Sequence, residues 1–193
     1  MNPVKGTWSP TGDFTSREPD NLSRMPTHDE SSGIQVGERN DTVLVRVEGR
    51  GTHLNSHLLK QFLGQCLSEN SRSFQIDLSR CTYMDSTFLG MLAGVGGRVL
   101  ERSLPPIQLL NATERVRDMI DNLGIFHLFE MVRETGPSCA LDASRTLTGK
   151  VSAEIKTHDM LEAHEKLVSI SPQNEAKFRD VIELLREKTS KSK

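Results

Sequence analysis

Asp85, Ser86 and Thr87 form the one run in this chain where residue types and setting together suggest chemistry. They follow the apolar stretch Phe74 to Leu78 and precede the apolar residues Phe88, Leu89 and Leu92, so the spacing predicts a strand, a turn and the start of a helix. A hydroxyl at the first position of a helix stands among backbone N–H groups that have no intrahelical acceptor, where the helix dipole also favours negative charge. Ligand sites of open α/β sheets gather at the carboxyl ends of strands, which is where this turn falls. On spacing alone, a plainer role is open to the same residues: Asp85 closing the turn and Ser86 capping the helix, worth ~1 kcal/mol.

Other chemistry is poorly supported. The chain has no G-x-S-x-G, H-E-x-x-H or G-x-x-x-x-G-K-[ST] pattern, and Gly94 to Gly97 has no following lysine and falls inside a predicted helix. His53 and His57 are four residues apart without a third ligand in sequence, and His158 and His164 offer no better pattern, so no metal site and no catalytic residue is expected. Cys66, Cys81 and Cys139 are odd in number and lack a Cys-x-x-Cys pair, which points to reduced thiols. No cofactor is expected.

The 193 residues carry a formal net charge of −2, with 35% hydrophobic and 26% charged residues. That balance gives no basic field to draw nucleic acid or anionic lipid, and no apolar run approaches the ~20 residues of a membrane span. With no apolar leader at the N-terminus, the expected compartment is the cytoplasm.

Residues 1–32 are rich in Pro, Ser, Thr, Asn and Asp without periodicity, and read as a disordered N-terminal arm. From Gly33 the pattern is that of a small α/β layer fold over 33–133, a mixed sheet with helices packed on it. Ile34 and Val36, then Val43, Val45 and Val47, alternate about Asn40-Asp41 as a hairpin. A helix capped by Asn55 or Ser56 follows, carrying Leu58, Leu59, Phe62, Leu63, Cys66 and Leu67 at helical spacing. Further on come the strand Phe74 to Leu78, the helix from Ser86, a strand over Ile107 to Leu110, a helix from Thr113 ending near Gly124, and a weaker strand over Phe126 to Val132. Residues 134–158 read as a connector. Residues 159–193 read as a C-terminal helical hairpin: Met160, Leu161, His164, Leu167 and Val168 line one helix, Phe178, Val181, Ile182 and Leu185 the other, with Ser171-Pro172 between them. Two stripes this short must bury on the domain or on a second copy of the chain, the latter giving a homodimer.

The stretch from Phe74 to Leu92 resembles the STAS family of bacterial anti-sigma-factor antagonists and stressosome proteins. The resemblance lies in Asp77-Leu78-Ser79 at the strand end and in Met84-Asp85-Ser86-Thr87, Leu89 and Gly90 at the turn, and the order of elements from Gly33 to Val132 fits it too. It departs at Phe88, where the family usually has glycine. The resemblance implies a non-enzymatic regulator that acts by partner switching. Ser86 is then the residue phosphorylated by an anti-sigma factor that is an ATP-binding serine kinase, Asp85 the neighbouring acid, Thr87 a secondary acceptor, and a phosphatase opposes the kinase. It also leaves room for a stressosome-like scaffold, or for a ligand- or lipid-handling accessory.

A helical projection adds a feature of its own. At 100° per residue, Phe88, Leu92, Val95 and Val99 share the core face, while Ser86, Gly90, Ala93, Gly94 and Gly97 share the opposite one. Glycine within a helix costs ~1 kcal/mol relative to alanine. The strip is therefore expected either to pack against another part of the chain or to receive a partner's backbone.

Overall fold

The computed structural model describes residues 32–69, 73–133 and 145–191. The expected arm over 1–31 lies outside these, as do residues 134–144 of the connector; Ser32, counted with the arm, accepts a hydrogen bond from the Arg50 amide at 3.2 Å.

Strands β1 (Gly33–Arg39) and β2 (Thr42–Gly51) form the expected antiparallel hairpin. Asn40 and Asp41 both take positive φ at its tip, the conformation a two-residue turn needs to match the strand twist. Helix α1 (Ser56–Ser68) returns the chain to β3 (Ser73–Asp77), parallel to β2. A short strand not foreseen in the sequence, β4 (Cys81–Met84), pairs parallel with the far end of β2 past an irregularity at Gly49 and Arg50. Four residues preceding a helix leave little periodicity to read. Helix α2 (Ser86–Glu101), β5 (Ile107–Leu110), α3 (Glu114–Asn122), a 3-10 turn over Phe126–Leu128 and β6 (Phe129–Val132) complete the alternation.

Past the undescribed stretch, β7 (Arg145–Thr146) pairs antiparallel with β1. Among the described residues the strand order is β6-β5-β3-β2-β1-β7, with β4 off this path. Helix α4 (Ala153–Ile170) begins six residues earlier than the expected 159, because Ser152 caps it by accepting from the Ile155 amide at 3.3 Å. Residues 134–158 are therefore not all connector. Helix α5 (Glu175–Ser190) follows a 3-10 turn over Pro172–Asn174.

The core is built from the faces the periodicity singled out. Val36, Val43 and Val47 of the hairpin, Ile76 of β3, Leu59 and Leu63 of α1, and Phe88, Leu92 and Val99 of α2 are fully enclosed. Leu167 of α4 belongs to the same cluster, and Ile170 and Phe178 pack against it. The hairpin thus buries on the domain of its own chain, with α4 lying along α2.

Candidate functional site at the N-terminus of α2

The chain reaches Ser86 through a tightly held turn. Asp85 caps α2: its Oδ1 accepts from the Phe88 amide at 2.8 Å, and its Oδ2 accepts from the His53 amide at 2.9 Å. The Asp85 amide donates to the Gly51 carbonyl at 2.9 Å, tying the turn to the end of β2. The cap is therefore Asp85, and Ser86 is the first helical residue, not the cap its side-chain type also allowed. Asn55, offered in sequence as the cap of α1, spends its side chain inside the preceding loop, accepting from the Thr52 amide and donating to the Arg50 carbonyl.

Ser86 is half-buried, whereas Thr87 is only 3% exposed. Phe88, the departure from the family pattern, is fully buried in the core, where its ring closes on Gly51. The bulky side chain thus points away from the surface around Ser86.

The Ser86 hydroxyl donates to Nε2 of His164 at 2.8 Å. The ring is oriented by its other nitrogen: Nδ1–H donates to the Met160 carbonyl one turn earlier in α4 at 2.6 Å, which leaves Nε2 as the acceptor. His164 is 4% exposed and its ring meets that of Phe178 edge-on at 4.9 Å. Burial lowers its pKa, partly offset by the bond to Met160 and the negative charge of Asp85, so the neutral ring is favoured. The sequence placed His164 on the apolar stripe of its helix but did not name this role, since its partner lies 78 residues away. Two cues were present: a polar residue on a buried stripe, and a glycine strip in need of a neighbour.

That neighbour is α4. A Cβ added at Gly90 would stand 2.4 Å from the Ala163 carbonyl oxygen and 2.8 Å from its carbon, so backbone meets backbone one turn beyond Ser86. Ala93 is fully buried. Gly94 and Gly97 face the Lys166 side chain more loosely, at 3.9 and 3.7 Å. Of the two occupants the sequence allowed for the strip, the structure seats one from within the chain.

A polar cluster fixes the start of α4 to α1. Lys60 Nζ donates to Asp159 at 2.8 Å and to Glu162 at 2.5 Å, and His57 Nδ1 bonds the other oxygen of Asp159. Burial works to lower the Lys60 pKa, but the bonds and charges of the two carboxylates outweigh it and raise it. His158, Asp159 and Glu162 could bring ligand atoms within 4.8 Å of one another, yet the lysine ammonium already stands on both carboxylates, so this arrangement favours an ion-pair network over a metal centre. Beside it a cleft of about 420 Å³ runs between α1, α2 and α4, lined among others by Ser56, Lys60, Arg98 and Lys166. Burial and the neighbouring Glu38 push the Cys66 thiol up to about 12, and burial also raises that of Cys81, so neither is a nucleophile near neutrality. No helix among the described residues is long and apolar enough to cross a membrane.

A hairpin-led sheet with parallel β-α-β units and an Asp-Ser turn opening the second helix defines a small α/β module. Residues 34–133 match the family described as "Mlab, STAS domain", and the chain belongs to this STAS family. No curated protein matches the sequence significantly. Solved structures similar to it include the anti-sigma factor antagonist SpoIIAA in its unphosphorylated form, 21% identical, covering 52% of this chain and 89% of that one at a TM-score of 0.46. Another is a putative anti-sigma factor antagonist from Thermotoga maritima, 17% identical, covering 52% and 85% at 0.47. A third, an anti-sigma factor antagonist from Mycobacterium paratuberculosis, is 20% identical and covers 51% and 82% at 0.42.

Proposed function

We propose that this protein is a non-enzymatic anti-sigma-factor antagonist working in the cytoplasm by partner switching, with Ser86 as its phosphorylated residue. One observation carries the reading: Ser86 is the first residue of α2, held half-exposed by the Asp85 cap, while Thr87 beside it is buried. A phosphoryl group there would sit at the positive end of a 16-residue helix. The inward turn of Phe88 supports it further, because the departure from the family pattern adds no bulk beside Ser86. Unmodified, the Ser86 turn engages an anti-sigma factor that is itself an ATP-binding serine kinase. Phosphorylation adds about −1.5 to −2 charges and releases the partner, and a phosphatase restores the first state.

The test is phosphate incorporation from labelled ATP in an extract of the cell that makes the protein, followed by peptide mapping. Label on Ser86, absent from Ser86→Ala, is the expected result. Label that persists undiminished in the alanine variant, or never appears, would remove the reading. A very large homo-assembly would then favour the stressosome-like scaffold, and a retained lipid the accessory role.

A further inference from the structure

We propose that the C-terminal hairpin α4–α5 is a built-in competitor of the partner, covering Ser86 and the face of α2 behind it, so that kinase docking requires the hairpin to swing away. This rests on the reading of Ser86 as the acceptor and adds its regulation.

Three contacts place the hairpin on the surface a partner would need. His164 Nε2 accepts from the Ser86 hydroxyl, with Oγ 2.8 Å away, and Ala163 lies backbone to backbone against Gly90 one turn on. Lys166 then extends over Gly94 and Gly97. In phosphoryl transfer the bond from Ser86 Oγ to the γ-phosphorus forms as the bond from that phosphorus to the bridging oxygen breaks. ADP leaves with the electron pair, and the hydroxyl proton passes to a base of the kinase. With the hairpin docked, His164 already occupies that proton, and α4 fills the space beside it.

The product state is incompatible with docking as well. The 2.8 Å between Oγ and Nε2 cannot hold a phosphorus atom with three oxygens, so a phosphorylated Ser86 keeps α4 from returning to the same seat. To swing away, the hairpin must leave two kinds of anchor. These are polar, Asp159 and Glu162 on Lys60 and Asn174 and Lys177 on the carbonyls that end α3, and apolar, Leu167 in the core cluster with Ile170 and Phe178 against it. On α2 it covers the small residues Gly90, Ala93 and Gly94, so the apolar area that opening exposes belongs mainly to the hairpin, Leu167 above all. A two-state element of this kind couples access at Ser86 to anything that binds or loosens the hairpin.

Two full-length variants test this by the initial rate of label entering Ser86 in the same extract. Ala163→Leu enlarges α4 where it already touches Gly90 and changes no residue of α2; it is expected to be phosphorylated several-fold faster than the natural protein. Gly94→Cys with Lys166→Cys, oxidised to a disulfide, ties α4 down; phosphorylation is expected to be lost and to return with a reductant. Should Ala163→Leu unfold, the crosslinked pair decides alone. If the crosslinked and reduced forms take label on Ser86 at equal rates, the competitor is overturned while the acceptor stands. If Ser86 stays unlabelled even in the reduced and loosened forms, the acceptor reading itself fails and takes this inference with it.

Discussion

Gly90 and Ala163 touch through their backbones: the Ala163 carbonyl oxygen lies 2.4 Å from where a Cβ on Gly90 would stand. Gly94, one turn along the same strip, has only the flexible Lys166 side chain at 3.9 Å. The two glycines should therefore respond oppositely to the same change. Gly94→Ala is expected to stabilise the protein by up to ~1 kcal/mol through helix propensity and a less flexible unfolded chain. In Gly90→Ala that gain is outweighed by pushing α4 off its seat, a loss of about 1–3 kcal/mol. Urea unfolding midpoints of the two variants check it; equal shifts would mean that α4 does not rest on Gly90.

The Asp85 cap and the Ser86 hydroxyl make separable contributions. Asp85→Ala removes the acceptor of both the Phe88 and His53 amides, so a loss of about 1–2 kcal/mol is expected. Ser86→Ala removes one hydrogen bond and leaves Nε2 of His164 unpaired, about 1 kcal/mol. The ordering, with Asp85→Ala the more damaging, is the test by thermal or urea unfolding. The reverse order would make Ser86 the cap after all.

His164 gives the hairpin a pH dependence whose direction follows from burial. Its pKa in the folded chain lies below the ordinary value of 6.5, so between those two values the unfolded chain binds the extra proton. Stability from this group is complete above pH 6.5 and is lost as pH falls from there through the lowered folded value. Protonation also turns Nε2 into a donor, which cannot accept from Ser86. Amide exchange of α4 relative to β2 and β3 should therefore quicken below about pH 6.5. His164→Leu should flatten that response between pH 7.5 and 5.5. An unchanged slope in the variant would assign the response to a group other than His164.

The sequence carried the fold where physical periodicity was strong. Val43, Val45 and Val47 alternate as a half-buried strand must, and Phe88, Leu92, Val95 and Val99 recur as a buried helical face must, so sheet, helix and core followed. Asn40-Asp41 marked its turn by chemistry alone. The strand β4 was not legible because it is short and gains its partner from β2, a contact no local pattern encodes. The start of α4 was missed because Ala153 to Thr157 is mostly exposed and shows no apolar stripe; the Ser152 cap was the available signal. At the site, Ser86 could be named from its setting and its resemblance. His164 could not, since a histidine on an apolar stripe becomes distinctive only when the fold places a hydroxyl opposite it. The glycine strip announced a close neighbour without saying which.

Asn174 is the residue on which the hairpin's attachment to α3 turns. It is fully buried, and its side-chain amide donates to the carbonyls of Leu123 and Leu167 at 2.9 and 3.0 Å, joining the end of α3 to the end of α4. Both carbonyls lie near helix ends, where C=O groups run short of intrahelical donors; that of Leu167 also accepts the Ser171 amide at 3.1 Å, while that of Leu123 takes the Asn174 side-chain amide. Lys177 adds a bond of 2.6 Å to the Asn122 carbonyl beside it. Asn174→Ala is expected to cost about 1–3 kcal/mol, because both side-chain bonds are lost and the Leu123 carbonyl is left without the Asn174 donor. Ser169→Ala serves as the contrast, since its exposed hydroxyl donates only to the Lys166 carbonyl of its own helix and its removal should fall within ~0.5 kcal/mol. The distinguishing measurement is where the loss is felt. Hydrogen exchange in Asn174→Ala should quicken across α4 and α5 well before it does in β2, β3 or β5, as expected of a segment that opens below the global unfolding free energy. Uniform quickening through the sheet would mean that hairpin and domain unfold as one unit, and a hairpin so tightly joined could not act as a detachable cover for Ser86.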